Sequence, residues 1–225
     1  MRIEQPRIRT SNVVEVWKEE WSRRDFRLQF SAAVPALLLT LHFFTGFLQW
    51  VEQREGVTLN DPILAMIPPR DFTWLTFGII YLAIVIALAY MSRHPRQLLL
   101  AIQSYTLIVI VRAVMMCLVP LNAPEGLIVL RDPLVQFVGN GAAPTKDLFF
   151  SGHTSTMFLF SLVMKRRALK NVYLVFTVLV ATFVIWQHVH YVIDVAVAPF
   201  VAYGCYRSVA GLSKKLLVEK LSIHT

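Results

Sequence analysis

Apolar and polar positions fall along this chain in long blocks, with apolar runs at about 28–51, 72–91, 98–119, 148–164, 172–187 and 189–206. A hydrocarbon core takes roughly 20 apolar residues to cross, so the pattern predicts six spans, the fourth of them short. The expected fold is all-α, a polytopic six-helix membrane bundle. Ahead of the first run, Asn12 and Glu15 have capping-box spacing. Behind that cap, Val13, Val14, Trp17 and Trp21 can share one helix face, lying on the membrane surface or packing on the bundle. Pro35 falls inside the first span, where a kink is tolerated. The expected organisation is a cytoplasmic amphipathic segment at 1–27, a transmembrane catalytic domain at 28–210 and a basic cytoplasmic tail at 211–225.

Charge sets the orientation. The connections at 92–97 and 165–171 are short and basic, whereas those at 52–71 and 120–147 are longer and mixed. Arg93, Arg96, the Lys165-Arg166-Arg167 cluster, Lys170, Arg207, Lys214, Lys215 and Lys220 share one side with the N-terminus; Arg54, Arg70, Arg131 and Lys146 occupy the other. The positive-inside bias therefore makes both termini cytoplasmic and the loop leading to Ser151 exoplasmic. A composition 56% hydrophobic over 225 residues, with mean hydropathy +0.56, agrees with an integral membrane protein. The net charge of +8 comes from residues flanking apolar runs, not from a stripe interleaved with aromatics, which argues against nucleic acid as a partner. Several charges precede any apolar run, unlike a cleaved signal peptide. Cys117 and Cys205 fall towards opposite ends of different spans, which argues against a disulfide, and no metal-ligand spacing is present.

The candidate chemistry sits in two stretches, KDLFFSGHTS from Lys146 and WQHVHYVIDV from Trp186. Imidazoles and a carboxylate at a membrane boundary are costly to desolvate, which marks them as functional candidates. The topology brings His153, at the outer start of the fourth span, level with His190, at the outer start of the sixth. Asp194 follows His190 by four residues, so both project from one helix face. A carboxylate there fixes the imidazole tautomer and leaves the other nitrogen as base or nucleophile. Ser151, Gly152, His153 and Thr154 open a helix whose free N–H groups attract an anion, and Gly152 leaves room for a phosphate oxygen. Together these features point to phosphoryl transfer, one histidine attacking phosphorus while the other protonates the departing oxygen. Arg112, roughly two turns below the outer end of the third span, suits a lipid phosphate. Its alternative is a structural pair with Asp194 or Asp147.

With these residues assembled, the chain resembles the sphingomyelin synthase branch of the type 2 phosphatidic acid phosphatase superfamily. FFSGHT resembles that family's third signature and HVHYVIDV, from His188, its fourth; RAVMMCLVPLNAP, from Arg112, resembles the second. Asn60-Asp61-Pro62, with Trp74 downstream, echoes the first. The resemblance implies six spans and an exoplasmic or lumenal site. It implies transfer of phosphocholine, phosphoethanolamine or phosphoinositol from a glycerophospholipid to ceramide or diacylglycerol, without a metal or other cofactor. His190 would form the phosphohistidine, Asp194 would orient it, and His153 would act as acid and then base. Asp147 would help to position His153, and Lys146 could draw an anionic headgroup to the mouth. Water as acceptor, making a lipid phosphatase or phospholipase C, is the alternative. The sequence departs from the family pattern at Val189, where an acidic residue is usual, and at Thr145-Lys146, where cysteine and glycine are usual. Phe183 and Val184 stand where the phosphatase branch places serine and arginine, which favours the synthase-like branch.

Lesser candidates receive structural roles. His188 is an auxiliary or loop residue, Tyr191 an interfacial anchor, and His42 a helix-packing contact. His94 and His224 receive no function, and Gly139-Asn140-Gly141 reads as a turn. Compactness and a lack of soluble appendages favour a bacterial inner membrane over a Golgi or ER membrane.

Overall fold

The computed structural model describes residues 12–133 and 143–223, with side chains described as far as 212. The turn expected at Gly139-Asn140-Gly141, and His224, lie outside the described residues. Asn12 caps α1 (Val13–Ser22) by accepting a hydrogen bond from the Val14 amide at 3.4 Å. There follow α2 (Arg24–Gln53), the short α3 (Pro62–Ala65), α4 (Thr73–Met91) and α5 (Pro95–Leu118). The last three are α6 (Gly152–Val163), α7 (Arg167–Trp186) and α8 (Val192–Ile223). The described residues contain no strand beyond an isolated bridge between Val57 and Leu121.

Five of these helices are long and apolar enough to cross a membrane: α2, α4, α5, α7 and residues Val192–Leu212 of α8. The fourth expected span is different. Its helix, α6, has 12 residues, about 18 Å of rise against a core of about 30 Å. It nevertheless sits at the centre, packed against α5, α7 and α8. Met157, Leu159 and Val163 of α6 are buried together with Ile108, Val180, Val184 and Ala198. Small residues at Ala83 and Ala87 on α4, and at Ala198 and Ala202 on α8, are fully buried and let the backbones approach closely. The Tyr173 hydroxyl then ties α7 to α4 by donating to the Ala83 carbonyl at 2.7 Å.

By contrast α2 is peripheral, resting on α5 and α1, and it begins at Arg24, so a boundary at residue 28 falls inside a helix. Its Pro35 lies within the unbroken helix. His42, expected in a packing contact, is exposed. The amphipathic helix α1 packs on the bundle: Trp17 meets Phe26 and Phe30 edge-on and donates its indole N–H to the Ser92 carbonyl at 2.8 Å. That carbonyl belongs to the basic α4–α5 connection, at the opposite end of the bundle from Ser151. Likewise α8 runs without a break to Ile223, through the segment expected as a separate tail.

At the other end, three connections are tied into one layer. The Val57 amide donates to Pro120 O and the Asn122 amide to Val57 O. The Ile128 amide donates to Gln187 O and the Arg70 amide to Trp186 O. Gln187 accepts from the Phe72 amide through Oε1 and donates through Nε2 to the Thr73 hydroxyl. Pairing these groups offsets the cost of burying them. This layer seats the starts of α6 and α8.

Candidate active site

Asp194 lies in the first turn of α8 and is fully buried. His190 stands two residues before that helix, so the expected shared helix face is not what joins the two. The chain bends at Val189 and His190, and Asp194 Oδ2 faces back over the helix start. There it receives the Tyr191 amide at 3.3 Å and lies 3.3 Å from His190 Nδ1. The correction has a simple cause: a carboxylate in the first turn seeks the unpaired amides that precede the helix. With Nδ1–H donating to Asp194, the Nε2 lone pair of His190 remains for chemistry. Asp194 Oδ1 is buried without a hydrogen-bond partner among the described residues, leaving negative charge available to an imidazolium.

Ser151 is the N-cap of α6, its Oγ accepting from the Thr154 amide at 3.4 Å and from the Thr154 hydroxyl at 3.1 Å. The Ser151 amide donates to the main-chain oxygen of Asp194 at 3.1 Å, locking the starts of α6 and α8 together. His153 therefore enters the same buried region as His190. His153 lies near enough to His190, Arg112 and Asp147 for their charges to act on it. Phe77 and His153 pack edge to face, centroids 6.2 Å apart, and His153 Nδ1 is buried without a hydrogen bond among the described residues.

Arg112, buried in α5, donates through Nε to the Phe150 carbonyl at 3.1 Å and through Nη2 to the Asp147 carbonyl at 3.4 Å. Its guanidinium is ion-paired with Asp147 Oδ1 at 2.8 Å, though Oδ1 receives no aligned hydrogen bond from the described residues. Of the alternatives open for Arg112, the pair with Asp147 is present. The space in front of Gly152, expected for a phosphate oxygen, is filled by this guanidinium: a Cβ at residue 152 would lie 2.1 Å from Arg112 Nη1. A cation at the positive end of α6 is electrostatically unfavourable by itself, and an anion between them satisfies both.

Arg112, Asp147, Gly152 and His153 share a cavity of about 220 Å³ between α4, α5 and α6. Lys146 is turned elsewhere: its ammonium donates to the Arg54 carbonyl at 2.6 Å, and Glu52 Oε2 accepts its amide at 3.1 Å. That loop is strapped to the end of α2, so the lysine does not join the site. His188 is held in the outer layer, Nδ1 2.7 Å from Glu125 O and Nε2 2.9 Å from Ile67 O. Tyr191 is buried rather than interfacial; its hydroxyl donates to Asn122 O at 3.0 Å and accepts from the Leu59 amide at 3.1 Å.

Two participants were not singled out by sequence reasoning. Tyr105 lines the cavity, and the available signal was its spacing of seven residues before Arg112, two turns along one helix face. Asp61 was noted as part of a motif only. In the structure its Oδ1 caps α3 through the Ile63 and Leu64 amides, at 3.0 and 3.2 Å, while Oδ2 accepts the Val192 amide of α8 at 2.8 Å.

Residues 146–210 match the family model described as PAP2 superfamily C-terminal. The match covers well under half of the chain and includes His153, His190 and Asp194 but not Arg112. It supports the type 2 phosphatidic acid phosphatase superfamily, whose members are generally phosphatases and phosphotransferases, and with the apolar helices it supports an integral membrane enzyme of lipid metabolism. No curated protein and no solved structure matches the chain.

Proposed function

We propose that this chain, with its C-terminal segment of the type 2 phosphatidic acid phosphatase superfamily, moves a phospho-headgroup from a glycerophospholipid to ceramide or diacylglycerol. His190 Nε2 attacks phosphorus as the bond from phosphorus to the diacylglycerol oxygen breaks, and His153 gives that oxygen its proton. Asp194 stabilises the positive charge that forms on the His190 ring. The acceptor hydroxyl then loses its proton to His153 and attacks phosphorus, breaking the P–N bond and regenerating both histidines. Arg112 and the amides at the start of α6 stabilise charge on the transferring oxygens. The observation that carries the reading is the His190 Nδ1–Asp194 Oδ2 contact at 3.3 Å, with the helix start that bears His153 tied to Asp194 through the Ser151 amide at 3.1 Å. That distance is long for a hydrogen bond, as is common before substrate tightens a site.

The choice of a lipid acceptor over water is supported by the apolar cavity wall of Ile80, Ile84, Ile108, Val109 and Met157. Phe183 stacks on Phe72 at 4.9 Å and Val184 is fully buried, so neither offers a polar group to a phosphate. Six passes, with α6 and the residues before it forming the short fourth, put both termini in the cytoplasm and the site on the exoplasmic side. The test is purified protein given phosphatidylcholine, phosphatidylethanolamine or phosphatidylinositol, each with headgroup label, with and without ceramide or diacylglycerol. Label should move to the added acceptor lipid, and His190→Ala should abolish both transfer and the covalent phosphoenzyme. Label released as free phosphate or phospho-alcohol regardless of acceptor would establish the hydrolase instead. Transfer that survives His190→Ala would remove the phosphohistidine.

A further inference from the structure

The cavity that holds Arg112 and His153 contains one more polar side chain that the proposed chemistry does not use. Tyr105 lines it together with Ile80, Ile84, Ile108, Val109 and Met157. The two hydroxyl side chains of α6 that line the cavity are already engaged, since Ser155 and Thr156 both donate to the Gly152 carbonyl, at 2.9 and 2.7 Å. The Tyr105 hydroxyl forms no hydrogen bond among the described residues. Tyr105 is partly buried, so its hydroxyl is open to the cavity and available to a ligand's acceptor.

Placement says what the partner is. Tyr105 precedes Arg112 by two helical turns, so it shares that residue's face and lies about 10 Å further along α5, towards the membrane interior. It is still close enough to be coulombically coupled to both Arg112 and Asp147. A phospholipid whose phosphate sits at Arg112 and whose chains run into the bilayer presents its ester carbonyls at this intermediate depth, a few bonds from phosphorus. At about 220 Å³ the cavity is smaller than the roughly 300–1,000 Å³ that encloses a drug-sized ligand. It therefore takes the phosphoryl group and the start of the glycerol backbone while the acyl chains remain outside.

We infer that Tyr105 is a specificity-determining residue whose hydroxyl donates a hydrogen bond to an ester carbonyl of the donor lipid, selecting diacyl lipids over ether-linked ones. The inference rests on the lipid-headgroup chemistry proposed above and deepens it. A phenol donor poised for one carbonyl accepts the ester and loses its partner when an ether replaces it.

The experiment uses the full chain in detergent micelles containing ceramide and diacylglycerol as acceptors, with three diacyl lipids (phosphatidylcholine, phosphatidylethanolamine and phosphatidylinositol), each beside its dialkyl-ether counterpart. Headgroup loss from the lipid is measured for wild type and Tyr105→Phe. Wild type should favour the ester form by about 3- to 10-fold in kcat/KM, the worth of one neutral hydrogen bond. Tyr105→Phe should bring that ratio close to one, by losing rate on esters and keeping it on ethers. Equal loss on both forms, or a ratio unchanged from wild type, overturns the inference and leaves the headgroup chemistry standing. Wild type that consumes none of the six lipids overturns the proposed chemistry, and the subsite with it.

Discussion

Gly152 and Arg112 act as a unit, because the absent side chain at one is the space the other occupies. Gly152→Ala places a methyl 2.1 Å from Arg112 Nη1, and the end of a flexible side chain yields before helix backbone does. The guanidinium is displaced from the start of α6 while the fold persists. Turnover should fall by about 10²- to 10³-fold, the scale of losing one aligned charge-stabilising donor, with the thermal transition little changed. A large loss of stability together with activity would mean that the backbone moved instead. The same residue shows how far single positions could be interpreted from sequence. That small size was needed at 152 was legible, because SGH opens a helix. Which group fills the space was not, since Arg112 is 40 positions away and reaches it only through the packing of α5 on α6.

Among the elements, α8 is held at its start by a residue remote from it in sequence. Asp61 spends one carboxylate oxygen on α3 and the other on the Val192 amide, the residue between His190 and Asp194 that begins the helix. Asp61→Ala removes both caps, each worth about 0.5–2 kcal/mol, so midpoint temperature in detergent should drop measurably and turnover should fall with it. An unchanged midpoint would show that the outer layer keeps α8 in place without the carboxylate. Helix positions themselves were largely readable, because apolar runs of 16 to 24 residues have few alternatives to a helix in a membrane. The start of α8 was not. Run length places a helix to within a few residues, and at His190 that margin separates a residue on the helix from one in the bend before it.

For the whole molecule, charge and site lie at opposite ends of the bundle. Arg93 and Arg166 sit in the connections α4–α5 and α6–α7, while His153 and His190 sit at the starts of α6 and α8. The positive-inside bias then predicts the outcome of labelling intact cells with a membrane-impermeant maleimide, in a background where Cys117 and Cys205 are replaced. Glu125→Cys, exposed in the outer layer, should react and Arg166→Cys, exposed at the other end, should not. The reverse pattern would invert the protein and place the site in the cytosol.

Hydropathy and the spacing of histidine, aspartate and glycine were enough to indicate a helical membrane protein and to nominate His153, His190 and Asp194, and a lone guanidinium inside an apolar run nominated Arg112. Both are local properties: a run long enough to meet lipid, and a motif short enough to lie in one turn. The choice of Asp147 over Asp194 as the partner of Arg112, the withdrawal of Lys146 towards Arg54, the double cap at Asp61 and the cavity position of Tyr105 all required the folded chain. Each depends on side chains from separate helices meeting where buried polar groups must be satisfied, and neither hydropathy nor short-range spacing records which ones meet.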